Sequence, residues 1–190
     1  MKKLAILIAE DETLTRKDIK GILEGAGYTV CGECSNGLKA LELAKVIKPD
    51  MAILDIKMPG MDGIEVARVF HGLNIPVVLV TAYSQASLIT RAENVYVCGY
   101  LVKPVSEQNL LATVRIAYAR WQDAQRLSQE LLDTKDELQV QKYVSRAKSI
   151  IMDREQLSAQ EAHRKLTREA MQRRLPLAEL AKEIIGDIPK

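Results

Sequence analysis

Four short stretches carry residues able to do chemistry together: Glu10-Asp11, Asp55, Thr81 and Lys103-Pro104. Each closes an apolar run that reads as a buried strand, so each would stand where a strand ends. Carboxylates at two strand ends, a hydroxyl at a third and an ammonium at a fourth make, in order, a phosphoryl-acceptor site. Asp55 would accept the group, and a carboxylate is a poor nucleophile that needs help with charge and alignment. Phosphoryl transfer is chiefly positioning plus neutralisation of charge on the transferred oxygens. Asp11 and Asp55 offer hard oxygen ligands for octahedral Mg²⁺ (or Mn²⁺), with Glu10 nearby through water. Lys103 brings a point charge to a phosphoryl oxygen, and the Thr81 hydroxyl donates to another. Taken singly, these residues read as a turn aspartate, a strand threonine and a solvated lysine; their order is what argues for chemistry.

The elements that must hold these residues are legible as alternating runs. Leu4–Ala9, Met51–Leu54 and Val77–Val80 are continuously apolar, as parallel strands covered on both faces are. A further strand is expected at Tyr28-Thr29-Val30. Between the strands lie helical spacings: Leu14, Ile19, Ile22, Leu23 and Ala26 before Gly27, then Leu38, Leu41, Leu43 and Ala44 before Pro49. Strand–helix alternation predicts a doubly wound α/β sheet, for which the flavodoxin-like order 2-1-3-4-5 suits five units, with the site outside the carboxyl ends of the strands. Met58, Pro59, Gly60 and Gly63 read as the shape of the loop after Asp55.

With Ala9-Glu10-Asp11-Glu12, Leu54 to Gly63, Val80-Thr81-Ala82 and Gly99 to Pro104, the first 120 residues or so resemble the receiver domain of two-component response regulators. The resemblance implies Asp55 as phosphoacceptor, a sensor histidine kinase as donor, and the backbone carbonyl of Lys57 as a further metal ligand. It also implies a cis bond between Lys103 and Pro104. Tyr100 matches the family's aromatic switch position, acting with Thr81 as a two-state element biased by local charge. Two departures stand out. Glu10 replaces the first of a pair of aspartates, and Val95-Tyr96-Val97-Cys98 replaces a Gly-Ala pair, with Asn94 available as a left-handed helix stop.

Beyond Lys103 the chain changes character. Nine of the ten glycines precede it, and Val105 to Leu175 holds neither Gly nor Pro. A helical run from Ser106 to about Met152 is expected, with Ala124, Leu127, Leu131 and Leu138 at coiled-coil-like steps and Thr134 and Gln141 interrupting the seam. Ser158-Ala159-Gln160-Glu161 is a capping box starting another helix, with Ala162, Leu166, Ala170 and Met171 on one face. Pro176 suits the first turn of a third helix ending at Gly186. The tail is basic: residues 142–190 hold 11 Lys/Arg against 7 Asp/Glu, whereas the preceding residues hold 16 against 18. That asymmetry is expected of a tail that meets a polyanion.

Arg146 to Met152, Glu161-Ala162, Leu166 to Met171, Arg173-Arg174 and Leu180-Ala181 resemble the ANTAR domain, a three-helix module that binds hairpin RNA in nascent transcripts and prevents termination; Ser149 stands where that family often has glycine. Phosphate contacts fall to Arg146, Lys148, Arg164, Lys165, Arg168, Arg173 and Arg174, and arginine planes can stack on bases splayed from a loop. Tyr143 either stacks on a base or packs internally.

The expected organisation is a receiver over 1–120, a helical coiled-coil linker over 121–137 and an all-α three-helix bundle over 138–186, whose first helix can begin within the linker. The function this implies is a phosphorylation-controlled antiterminator that pairs as a homodimer when phosphorylated. Two rivals remain: a tail that docks a protein partner, and a DNA-binding regulator, against which stands the missing recognition-helix pattern. No apolar run approaches the ~20 residues of a membrane span, and no signal peptide is legible, so a cytoplasmic protein is expected. Cys31, Cys34 and Cys98 read as reduced structural thiols although Cys31-Gly32-Glu33-Cys34 has redox spacing.

Overall fold

The structure is a computed structural model that describes residues 3–82 and 97–186. Five parallel strands form one sheet: β1 (Ala5–Ala9), β2 (Thr29–Cys34), β3 (Met51–Asp55), β4 (Val77–Thr81) and β5 (Gly99–Val102). Their order is β2-β1-β3-β4-β5, the expected one. The central strands β3 and β4 are buried along their whole length, which is why their sequences are continuously apolar rather than alternating. One core lies on each face. Leu7, Leu54, Phe70 and Leu79 anchor the first. Ile6, Ile19, Met51, Val78 and Val114 anchor the second.

Helices α1 (Thr13–Gly25), α2 (Gly37–Ile47) and α3 (Gly63–Gly72) cross between the strands. Local chemistry sets their starts. The Asn36 side chain accepts from Lys39 N at 2.8 Å, and Asp62 and Glu65 form a reciprocal capping box, each satisfying backbone N–H groups that the first turn leaves without partners. Helix α2 ends on Lys48, and β2 begins two residues after the positive-φ Gly27.

Two readings of the receiver need correction. The second strand is twice the expected length, reaching Cys34, because it pairs with all of β1 across a register shift between Ile6 and Leu7. Cys31 and Cys34 are therefore strand residues, both unbridged, and burial raises both thiol pKa values. Leu14 and Leu38 do not join their helices' buried stripes; both are exposed. Asn94, Val95 and Tyr96 lie outside the described residues.

Helix α4 (Glu107–Glu155) is followed by α5 (Ala159–Arg173) and α6 (Leu177–Gly186). The chain divides into two compact units after Ala124. In the first, Leu110, Val114 and Ala117 of α4 close the sheet's second core. In the second, Ala147 and Ile151 of α4 pack with Ala162, Leu166 and Ala170 of α5 and Leu180 and Ala181 of α6. Small residues on all three helices let the backbones approach closely. The Ser158 capping box is present. Pro176 sits just outside α6, and its carbonyl accepts from Glu179 N and Leu180 N at 3.0 and 3.2 Å. Every α4 residue from Gln122 to Lys142 is exposed. Met171, expected on the buried face of α5, is 76% exposed, since it lies nearly opposite Leu166 around the helix.

Candidate phosphoryl-acceptor site

The carboxyl ends of β1, β3, β4 and β5 bring the acidic, hydroxyl and basic residues to one edge of the sheet. Glu10 follows β1 and is 1% exposed; Asp55 ends β3 at 5%, and Thr81 ends β4 at 1%. Asp11 is exposed beside them, and carboxylate oxygens of Glu10, Asp11 and Asp55 lie within 4.8 Å of one another. Lys103, just past β5, holds its Nζ 2.9 Å from Asp55 Oδ2 and 2.8 Å from Glu10 Oε1, donating to both. The same ammonium is 2.8 Å from Glu10 Oε2 as an ion pair, but at an angle that leaves this buried oxygen without a hydrogen bond. Lys103 is placed by its own backbone: its N–H donates to the Thr81 carbonyl at 2.7 Å, and the following bond to Pro104 is cis, as expected.

The loop after Asp55 is pinned from two sides. Lys57 N donates to Asp55 Oδ1 at 3.3 Å, and Gly63 N donates to the Ile56 carbonyl at 2.9 Å. A Cβ on Gly63 would stand 2.1 Å from the Asp55 carbonyl oxygen, so only glycine lets α3 start this close to the acceptor strand. Gly60 turns the loop at φ +83°. Both glycines have the loop-shaping place expected of them. Tyr100 is half-buried against the first core, in register with Leu79 two residues before Thr81.

Electrostatics follow from burial. Desolvation lifts the Glu10 carboxyl to about 7 against the pull of Lys103, with the nearby Asp55 charge adding to the rise. Desolvation on its own would lower the Lys103 pKa; hydrogen bonds to Glu10 and Asp55 overcome it, and the net direction is upward. Three carboxyl groups thus face one ammonium. That surplus of negative oxygen donors, with one buried oxygen lacking a hydrogen bond, fits a divalent cation of the Mg²⁺ class.

One contributor escaped the sequence reading. Arg16, one turn into α1, donates from Nη1 to the Glu10 carbonyl at 2.6 Å and lies 3.8 Å from Glu33 of β2. The available signal was a basic residue one helical turn after the acidic run.

In the second unit the seven basic residues are spread over two helices. Arg146 and Lys148 lie on α4; Arg164, Lys165, Arg168 and Arg173 lie on α5, which Arg174 ends in left-handed conformation. Lys165 is ion-paired with Glu155 of α4, and Arg173 Nη2 with Glu183 of α6 at 2.7 Å. Tyr143 packs internally, partly buried against the bundle core with the Lys182 ammonium 5.2 Å from its ring centre.

A five-stranded parallel sheet in this order, with acids and a lysine at its carboxyl edge, defines a receiver, and the chain belongs to the response regulators. Residues 6–115 match the response regulator receiver domain, and residues 132–185 match the ANTAR domain. Over 181 residues the chain is 36% identical to the transcriptional regulatory protein PdtaR of Mycobacterium tuberculosis, covering 95% of this chain and 88% of that one. Its receiver resembles the signal receiver domain of a modulated diguanylate cyclase from Desulfovibrio desulfuricans (32% identity, TM-score 0.60, 64% of this chain and 98% of that one). It also resembles a chain of the CheX–CheY–BeF3–Mg²⁺ complex of Borrelia burgdorferi (25% identity, TM-score 0.56, 58% and 86%). This is a two-component signalling protein with an ANTAR output. Among the described residues no helix is long and apolar enough to cross a membrane.

Proposed function

We propose that the chain is a phosphorylation-controlled antiterminator: a sensor histidine kinase phosphorylates Asp55, and the ANTAR bundle then binds hairpin RNA in nascent transcripts. The observation that carries the first half is the meeting of Asp55 with Lys103 at 2.9 Å inside an acidic cluster. An Asp55 carboxylate oxygen attacks phosphorus, the new P–O bond forms, and the P–N bond to the donor histidine breaks. Asp11, Asp55 and the Lys57 carbonyl, with Glu10 through water, would hold Mg²⁺, which would supply neutralising charge at the phosphoryl oxygens. That the similar Borrelia burgdorferi complex contains BeF3 and Mg²⁺ agrees with a metal of this class. Lys103 turns from the Asp55 carboxylate to a phosphoryl oxygen, and Thr81 donates to another. Tyr100, on the strand next to Thr81, communicates the change to the neighbouring surface.

The coupling runs through association. Leu127, Leu131 and Leu138 are about half exposed or more on the stretch of α4 that is bare from 122 to 142, and the Thr134 hydroxyl at the seam is satisfied by the Glu130 carbonyl of its own helix at 2.8 Å. A short seam interrupted by Thr134 and Gln141 makes a marginal dimer that phosphorylation tips toward pairing. Two paired bundles gain on adjacent hairpins through effective concentration.

Sedimentation with and without BeF3⁻ and Mg²⁺, run beside titrations of one- and two-hairpin RNA and duplex DNA, tests the reading. The expected result is BeF3⁻-dependent pairing with a gain confined to the two-hairpin RNA. No shift with any RNA leaves the tail a protein-docking output; preference for duplex DNA makes it a DNA reader.

A further inference from the structure

The seven basic residues of the tail are not equivalent, and their partners sort them. Buried Ala162, Leu166 and Ala170 define the inward side of α5. At 100° per residue, Lys165 lies at the flank of that stripe and Arg173 close to it. Both side chains are spent on acids of neighbouring helices: Lys165 on Glu155 of α4, Arg173 on Glu183 of α6 and, at 3.8 Å, on Glu169 of its own helix. They bridge the three helices of the bundle.

Arg164, Arg168 and Met171 stand at i, i+4 and i+7, within about 60° of one another and opposite the buried stripe. No ion pair or side-chain hydrogen bond among the described residues holds Arg164 or Arg168, and both are exposed. Both arginines line an open groove of about 800 Å³ along α5, shared with Gln172, the carboxylates Glu161 and Glu169, and the paired Lys165 and Arg173. What separates Arg164 and Arg168 from the latter two is therefore their lack of an interhelical partner, not their place on the groove. Met171 ends the stripe with 76% of its surface in water, a position that neither core nor neighbouring helix explains. A pliable thioether suits the ring of a base, making sulfur–aromatic contacts, just as the two guanidinium groups suit phosphate.

Resting on the proposal that the bundle binds hairpin RNA, we propose that the outward stripe Arg164–Arg168–Met171 is the RNA-contacting face of α5. The two arginines take loop phosphates and Met171 seats an unstacked loop base, while Lys165 and Arg173 act as interhelical latches that touch no RNA. Charge-neutral removal separates the classes, because Glu155→Ala with Lys165→Ala, or Glu183→Ala with Arg173→Ala, deletes a pair and leaves net charge unchanged.

The probe is a hairpin RNA selected from a randomised-loop library on the full chain with BeF3⁻ and Mg²⁺. Replacing Arg164 and Arg168 by Ala should weaken binding at least about tenfold and reduce the salt slope by about 1.4, at roughly 0.7 per phosphate contact on single strands. Met171→Ala should cost about fivefold with the salt slope unchanged and with relaxed preference at one loop base, and Met171→Leu should recover most of the affinity. Either latch deletion should stay within about twofold of the parent. Circular dichroism of each variant guards against loss of fold, and Arg→Lys at 164 and 168 should retain the salt slope. Latch deletions that cost as much as the arginine pair, or an arginine pair that leaves the salt slope untouched, overturn the assignment. If selection on the unaltered chain enriches no RNA, the RNA reading itself falls, and the stripe's role with it.

Discussion

The receiver and the helical tail hold their charged residues in opposite ways. In the receiver, Glu10, Asp55 and Lys103 are taken largely out of water and aimed at one another by three different strand ends. In the tail, nearly every charge stays in water on a helix face. A buried constellation leaves few alternatives for each member, because an unpaired buried charge costs several kcal/mol. An exposed basic face leaves many, because a surface ion pair contributes only about 0–1 kcal/mol. The difference predicts concentrated effects in the first unit and distributed ones in the second.

The sharpest way to break that contrast is at the acceptor. Asp55→Asn should abolish labelling by an acyl-phosphate donor with Mg²⁺, whereas the parent chain should gain one phosphoryl group by mass spectrometry. Undiminished labelling at another residue would show the receiver's charges to be as interchangeable as those of the tail. Gly63→Ala comes next. With 2.1 Å between its Cβ and the Asp55 carbonyl oxygen, α3 must withdraw, and the receiver should lose about 3 kcal/mol in denaturant unfolding along with most of its labelling rate.

Lys103→Ala removes the only ammonium that faces Glu10 and Asp55 among the described residues. A loss of about 2 kcal/mol is expected, less than for a fully buried pair since Lys103 is partly exposed. Added Mg²⁺ should return part of it, detected as a larger metal-induced rise in Tm than the parent shows.

The smallest effect is on pH dependence. Folded Glu10 binds its proton up to about pH 7, against an ordinary value of 4.5, so between these values the folded state holds more protons than the unfolded one. Its contribution is therefore full below about pH 4.5 and declines as pH rises to about 7. Without divalent metal, the parent chain should lose stability across that window and Glu10→Gln should show a flatter profile. The raised Lys103 pKa works in a separate window, its contribution being lost only at alkaline pH. A parent profile as flat as that of Glu10→Gln would mean the buried site is less distinct from the tail's surface charges than its geometry implies.

Residue order alone determined the alternation of strands and helices and which side chains converge, because buried central strands are continuously apolar and a doubly wound sheet places their following residues at one edge. The strand order came by analogy with that fold class and is the one observed. The ends of helices were equally legible: Ser158 and Glu161 form the expected capping box because that chemistry is local. Only tertiary structure decided that β2 runs on to Cys34, since its length comes from pairing with β1. It also brought Arg16 to the Glu10 carbonyl and forbade a side chain at Gly63, where another element's backbone approaches. It set Met171 in solvent and gave Lys165 and Arg173 to acids on other helices. Periodicity marks which residues share one helix face but not which face a neighbouring helix covers, and charge type does not name the partner that folding brings within reach.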